Sequence, residues 1–171
     1  LTAIGRTGYY VGYQHEGAAP DVMTLAKGLG GGLPIGAMMA KPHIAEALGP
    51  PTHGSRFGGN PVSCSAALAV LQTIEDENLL QHVQEVGVHF VEGLKRLQKK
   101  YAFITDVRAR GLMVAAELDR PGGHMVVKAM ERGYLINCTV DCVLRFLPPL
   151  IITQQEVDGL LATLDTIFAE E

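Results

Sequence analysis

The sequence is short of cysteine and of concentrated positive charge. Its cysteines are Cys64, Cys138 and Cys142, at no spacing that metal ligation uses. An odd, small count fits reduced thiols in a cytoplasmic setting. No basic stretch is dense enough to track a nucleic-acid backbone, and the formal net charge is −4. No apolar run reaches the roughly 18 residues that a membrane-spanning helix needs, and no signal-peptide pattern opens the chain. His15, His43, His53, His82, His89 and His124 are scattered without HExxH or related spacing, so no metal set is expected. No Ser-His-Asp order can be drawn. Repeats and low-complexity tracts are lacking too. What is there is a chain of 171 residues, 47% hydrophobic, enough for one or two small units with a real core. It begins at Leu1 with "LTAIGRTGYY", which reads as the middle of a longer protein.

Element order follows from periodicity and punctuation. Residues 1–20 read as loop with a short helix. Residues 22–26 form a short apolar strand ending at Lys27. The glycines that follow, Gly28, Gly30, Gly31 and Gly32, forbid a regular helix. Residues 34–40 read as a second buried strand and 42–48 as a short helix with Pro42 near its start. A loop carrying "HGSRFGGNP" leads into a long helical region that runs to about residue 100. Its first part, 63–74, is apolar on nearly every face and is expected to be buried. Its second part is amphipathic, with Leu79, Val83, Val86, Phe90, Leu94 and Leu97 at spacings of three and four. After Tyr101 the pattern changes to strand at 104–118, broken at Gly111, then helix at 124–132 closed by Gly133. Short strands follow at 134–137 and 143–146. Thr153 and Glu156 form a capping box for a last helix with Val157, Leu160, Leu161, Leu164 and Phe168 on one face.

Three places offer chemistry. Lys27 stands between an apolar strand and a glycine run. A lysine at the end of a buried strand is partly desolvated, and desolvation favours the neutral amine, which can form a Schiff base with an aldehyde. The glycines let a flat ligand approach the backbone. The plainer reading is a solvated lysine beside a turn. A phosphate-binding nucleotide loop does not fit. The Walker pattern needs its lysine after the glycines, and "GLGGGL" lacks the last glycine of GxGxxG. "HGSRFGGNP" offers backbone N–H groups, the Ser55 hydroxyl and the Arg56 guanidinium ahead of a helix start near Pro61, a set suited to phosphate. Its plainer reading is an ordinary glycine turn. Arg145, in "VLRFLPP", is a cation within an apolar strand and calls for a carboxylate, either a substrate's or a structural Asp or Glu.

"IGRTG", "PDVMTLAKGLGGGLPIGAMMA", "HGSRFGGNP" and "VLRFLPPLIIT" occur in the order and spacing of class III pyridoxal-phosphate-dependent aminotransferases, and the chain resembles that family over essentially its whole length. "LINCT" followed by "VLRFLPP" resembles the acetylornithine branch most. The resemblance implies an α/β protein of PLP-dependent transferase fold (fold type I). Residues 1–74 would be the C-terminal part of a large parallel-sheet domain that binds pyridoxal 5'-phosphate (PLP). Residues 75–100 would be a connecting helix and 101–171 a small α+β domain. It implies Lys27 as the catalytic lysine that carries PLP, Arg56 at the cofactor phosphate across a homodimer interface, Ser55 touching substrate, and Arg145 holding the substrate α-carboxylate. The implied reaction moves an amino group from N-acetylornithine to 2-oxoglutarate in arginine biosynthesis, in the cytoplasm. Ornithine, succinylornithine or 4-aminobutyrate as donor, or a non-catalytic remnant that acts as an interaction module, are the alternatives. Two positions depart from the family pattern. Arg56 stands where threonine is usual, and Leu1 stands where the family has glutamine. The family's aspartate for the pyridine nitrogen falls before Leu1, so these residues alone are expected to make a poor catalyst.

Overall fold

The computed structural model describes residues 4–49 and 54–171; Leu1 and His53 lie outside the described residues. The chain folds as two compact units. The first extends through Gly5 and then takes Tyr9–Leu80; the second takes Arg6–Gly8 and Gln81–Glu171.

In the first unit, β1 (Val22–Leu25) and β2 (Ala37–Ala40) pair antiparallel, Val22 opposite Ala40 and Leu25 opposite Ala37. The pair is antiparallel because its connection is short. A parallel pair needs a crossover of a dozen residues or more, usually a helix, whereas residues 26–36 fold as a 3-10 turn (Lys27–Gly30) and loop. Nor are the strands buried: Val22, Met38 and Met39 are all exposed. Pro42 opens α1 (Pro42–Ala45), which tightens into a 3-10 turn at Glu46–Leu48. Next comes α2 (Pro61–Asp76), capped by Asn60, whose Oδ1 accepts from Val62 N at 3.0 Å and Ser63 N at 3.2 Å. The expectation of a buried helix here is met only at Ala67 and Ile74; Val62 and Leu68 are about two-thirds exposed at 66% and 68%. The expected long helical region is two helices. Asn78, at φ +54°, breaks it between α2 and α3 (Leu79–Lys100).

The second unit is built on α3. Its apolar side, Val83, Val86, Phe90, Leu94 and Leu97, lies in the core of this unit from Gln81 onward. A helix placed at 75–100 as a connector therefore contributes most of its length to one core. The sheet has β3 (Ile104–Arg110), β4 (Met113–Leu118), β5 (Asn137–Thr139) and β6 (Val143–Phe146) in the order β3-β4-β6-β5, every neighbour antiparallel. Strand side chains alternate between faces. Val114, Ala116, Leu118, Leu144 and Phe146 therefore point at the helices, with Phe146 tilted against Phe90 at 5.2 Å between ring centroids.

Strand β5 starts later than the sequence pattern suggests. Tyr134 N is drawn back to Ala129 O at 2.9 Å, closing α4 (Gly123–Glu131), and this keeps 134–136 off the ladder. The three-residue β5–β6 connection, 140–142, has Val140 and Asp141 at positive φ, the left-handed region that short hairpin loops use. Helix α5 (Gln154–Phe168) buries Val157, Leu160, Leu161, Leu164, Ile167 and Phe168. Its capping box is formed as expected. Glu156 N donates to Thr153 Oγ1 at 3.2 Å, and Thr153 N donates to Glu156 Oε2 at 2.8 Å.

Thr153→Ala removes one half of that box. It should destabilise the second unit by about 1 kcal/mol and lower its melting temperature by roughly 4–8 °C, read by circular dichroism at 222 nm. An unchanged melting temperature would show that the cap is idle.

Candidate functional site

Lys27 opens the 3-10 turn directly after β1 and holds φ at +56°, the left-handed region. For a residue with a Cβ this conformation is uncommon and persists only when its surroundings impose it. They do so here through Leu29 and Gly30, which are buried, and through Leu29 N donating to Ala26 O at 3.2 Å and Gly31 N to Gly28 O at 3.2 Å. The turn packs against α2 within the same unit. At Gly31 a Cβ would stand 3.0 Å from Val70 Cγ2, so that close approach depends on the bare backbone. The expected desolvation is not met among the described residues. The Lys27 side chain is exposed, because β1 on which it ends is itself open.

Ser55 and Arg56 lie on the loop ahead of α2. Ser55 Oγ accepts from Gly58 N at 3.0 Å, so the loop closes on its own serine. Asn60 takes the amides of Val62 and Ser63, leaving less of the helix end free for an anion than the sequence suggests. Arg56 is exposed and has no ion pair among the described residues.

Arg145 belongs to the second unit. The strand period sets its orientation. Leu144 and Phe146 are buried, so Arg145 between them is exposed on the opposite face of the sheet. It sits opposite Ala115 on one side and Asn137 on the other. Together with Arg108, Arg110, Met113 and Thr139 it lines an open groove of about 450 Å³. Arg108 is already committed, to Asp106 at 2.7 Å and Glu117 at 2.6 Å, and those hydrogen bonds raise its guanidinium above the ordinary arginine value. Arg145 has no carboxylate partner among the described residues.

Sequence reasoning singles out no role for Arg6, which it reads only as part of "IGRTG". Its guanidinium is half-buried and donates to Pro148 O, and burial holds it below the ordinary arginine value. A cation inside a glycine-bearing segment is the available signal. Among the described residues no group of three His, Cys, Asp or Glu side chains could hold a metal ion, and no helix is long and apolar enough to cross a membrane.

A lysine fixed at the head of a strained turn and an uncommitted arginine on an antiparallel sheet are set in a partial segment of the PLP-dependent aminotransferase fold. The chain belongs to the class-III aminotransferase family, whose pattern matches residues 1–168. It is 50% identical over 167 residues to acetylornithine aminotransferase of Methanocaldococcus jannaschii, covering 98% of this chain and 42% of that protein. Among solved structures it is similar to acetylornithine aminotransferase from Elizabethkingia anophelis, with TM-score 0.92, 32% identity, 99% of this chain and 44% of that one. It is also similar to ornithine aminotransferase from Toxoplasma gondii ME49, with TM-score 0.92, 36% identity, 99% of this chain and 41% of that one. The chain thus spans less than half the length of these relatives.

The donor set of the first unit fits the cofactor such a family uses. PLP presents an aldehyde and a phosphate; Lys27 offers an exposed amine and Arg56 an exposed guanidinium with no ion pair among the described residues. If Arg56 meets the phosphate, Arg56→Ala in the whole protein should weaken PLP binding about 10- to 100-fold, the worth of a hydrogen bond to a charged group. The apoprotein's melting temperature should stay the same. Fluorescence titration of the apoprotein measures it, and unchanged affinity would place Arg56 outside the phosphate site.

Proposed function

We propose that the whole protein is a PLP-dependent aminotransferase that moves the amino group of N-acetylornithine to 2-oxoglutarate, a step of arginine biosynthesis. The observation that carries this reading is Lys27, a non-glycine residue held at φ +56° with its amine exposed at the head of a packed turn. Strain of this kind concentrates at functional sites. The 50% identity to an acetylornithine aminotransferase supports the choice of donor. When bound, PLP supplies the electron sink that stabilises negative charge at the substrate carbon bearing the transferred amino group.

The residues of this chain do the rest. Lys27 would hold the cofactor through its amine and would serve as the base that moves the proton at the substrate carbon bearing the transferred amino group. Arg145 takes the α-carboxylate with its two-pronged guanidinium. Arg56 holds the phosphate, and Ser55 contacts the substrate. In this reading the protein works in the cytoplasm as a homodimer, and Arg56 serves the phosphate bound by the partner subunit. Ornithine is the second candidate donor, supported by the 36% identity to an ornithine aminotransferase of known structure. Initial rates with the two donors at equal concentration separate them.

Borohydride reduction of the PLP-loaded whole protein, followed by peptide mapping, should place a pyridoxyl group on Lys27. Label on another lysine with none on Lys27 would remove the basis of the proposal.

Arg145→Lys keeps the charge but loses the planar fork. KM for the amino donor should rise by about one to two orders of magnitude, matching the roughly 1.5–3 kcal/mol of a charge-assisted hydrogen bond. The visible absorbance of the bound cofactor should be unchanged. Unaltered kinetics would make Arg145 a structural cation.

A further inference from the structure

The tripeptide Arg6–Gly8 is compact with the second unit, although Gly5 before it and Tyr9 after it are compact with the first. Its bonds inside the second unit explain this. Leu112 N donates to Arg6 O at 3.0 Å, and Gln84 Nε2 donates to Gly8 O at 2.7 Å. Arg6 Nη1 donates to Pro148 O. The fit leaves no room at Gly111, at φ +55°, where a Cβ would stand 2.7 Å from Thr7 C and 2.8 Å from Arg6 O.

The register shows what this wedge does. Strands β4 and β6 pair Glu117 with Val143, Ala116 with Leu144, Ala115 with Arg145 and Val114 with Phe146. Carried onward, the same register would bring Leu112 opposite Pro148. The ladder has stopped by then, and Arg6 fills the gap. Its carbonyl takes the Leu112 amide and its guanidinium satisfies the Pro148 carbonyl. One residue therefore closes the end of the two strands that hold Arg145. Arg6 itself has no carboxylate partner among the described residues. A half-buried cation without one is costly, so stability alone is a poor account of it.

We propose that Arg6 is a positioning residue for Arg145. By fixing where β4 and β6 part, it sets the direction in which the Arg145 guanidinium leaves the sheet, and so sharpens recognition of the substrate carboxylate. This rests on the reading of Arg145 as the carboxylate-binding residue.

The test uses the PLP-saturated whole protein and three variants, Arg6→Met, Arg6→Lys and Arg145→Lys. Two donors are compared: N-acetylornithine, called the amino acid below, and the matching primary amine that lacks the carboxylate. Arg6→Met should raise KM for the amino acid about tenfold, the worth of one charge-assisted hydrogen bond, with kcat within about twofold. Its kcat/KM for the amine should not change, because no carboxylate reaches Arg145. Arg6→Lys, whose ammonium can still donate to Pro148 O, should recover most of the loss. Should Arg6→Met fail to fold, Arg6→Lys carries the same comparison, with a smaller rise in KM confined to the amino acid. Equal losses on both donors would mean a structural role only and overturn the proposal. So would an unchanged KM in the Arg6 variants while Arg145→Lys raises it. If Arg145→Lys itself leaves KM unchanged, the reading of Arg145 fails and this inference falls with it.

Discussion

The second unit depends on the two-residue period of its antiparallel sheet. Every inward position on β4 and β6 is apolar and faces α3 and α5, and burial of those side chains is the main favourable term in a core of this kind. Register is thereby fixed, because a slip of one residue would turn Leu144 and Phe146 outward and Arg145 into the core. The same constraint that makes the unit stable presents Arg145 on the open face. Neither Ala115 nor Asn137 beside it is bulky enough to cover it, and the packing of the helices on the other face does not involve it.

The first unit follows a different rule. It holds little core of its own among the described residues, and its order comes from backbone devices: Pro42 and Pro61 at helix starts, Asn60 as a cap, and the turn that carries Lys27. A left-handed lysine is unfavourable in isolation. Leu29 and Gly30 are buried behind it, and Gly31 lets the turn lie close to Val70 on α2, which together hold the backbone in place. Residue 27 is thus positioned by its neighbours' packing while its own side chain stays open.

Much of this is legible in the sequence where local signals are strong. The amphipathic run in α3, the capping box of α5 and the break at Gly111 all sit where periodicity and punctuation put them. The departures share one cause. Apolar composition at 22–26, 34–40 and 63–74 suggests burial, but burial is a property of what packs against a segment, and in this unit little covers Met38, Met39 or Leu68. Arg145 lies in a strand of apolar composition, and alternation alone places it outside between Leu144 and Phe146. For the site, sequence reasoning finds the residue types at Lys27, Ser55, Arg56 and Arg145 but not their commitments. That Asn60 occupies two helix amides, and that Arg6 bonds a carbonyl far along the chain, are tertiary facts with no local pattern to announce them.

The arginines on the outer face of the sheet show why one of them is suited to an external carboxylate. Arg108 and Arg145 flank Ala115 in a single row across β3, β4 and β6. Two strand spacings of roughly 4.7–4.9 Å each separate their backbones. Arg108 already has Asp106 and Glu117 within 2.7 Å, so an arriving carboxylate would have to displace two anions or sit beside them. Either route costs Coulomb energy at short range, even in a partly solvated groove. Arg145 carries no such competitor among the described residues, and its neighbours in the row, Ala115 and Asn137, are neutral. The acidic residues around Arg108 thus remove it as a decoy and leave the Arg145 end of the groove as the more favourable place for an anion. Where an anion would settle on this face is therefore set as much by where the negative charges stand as by where the arginines do.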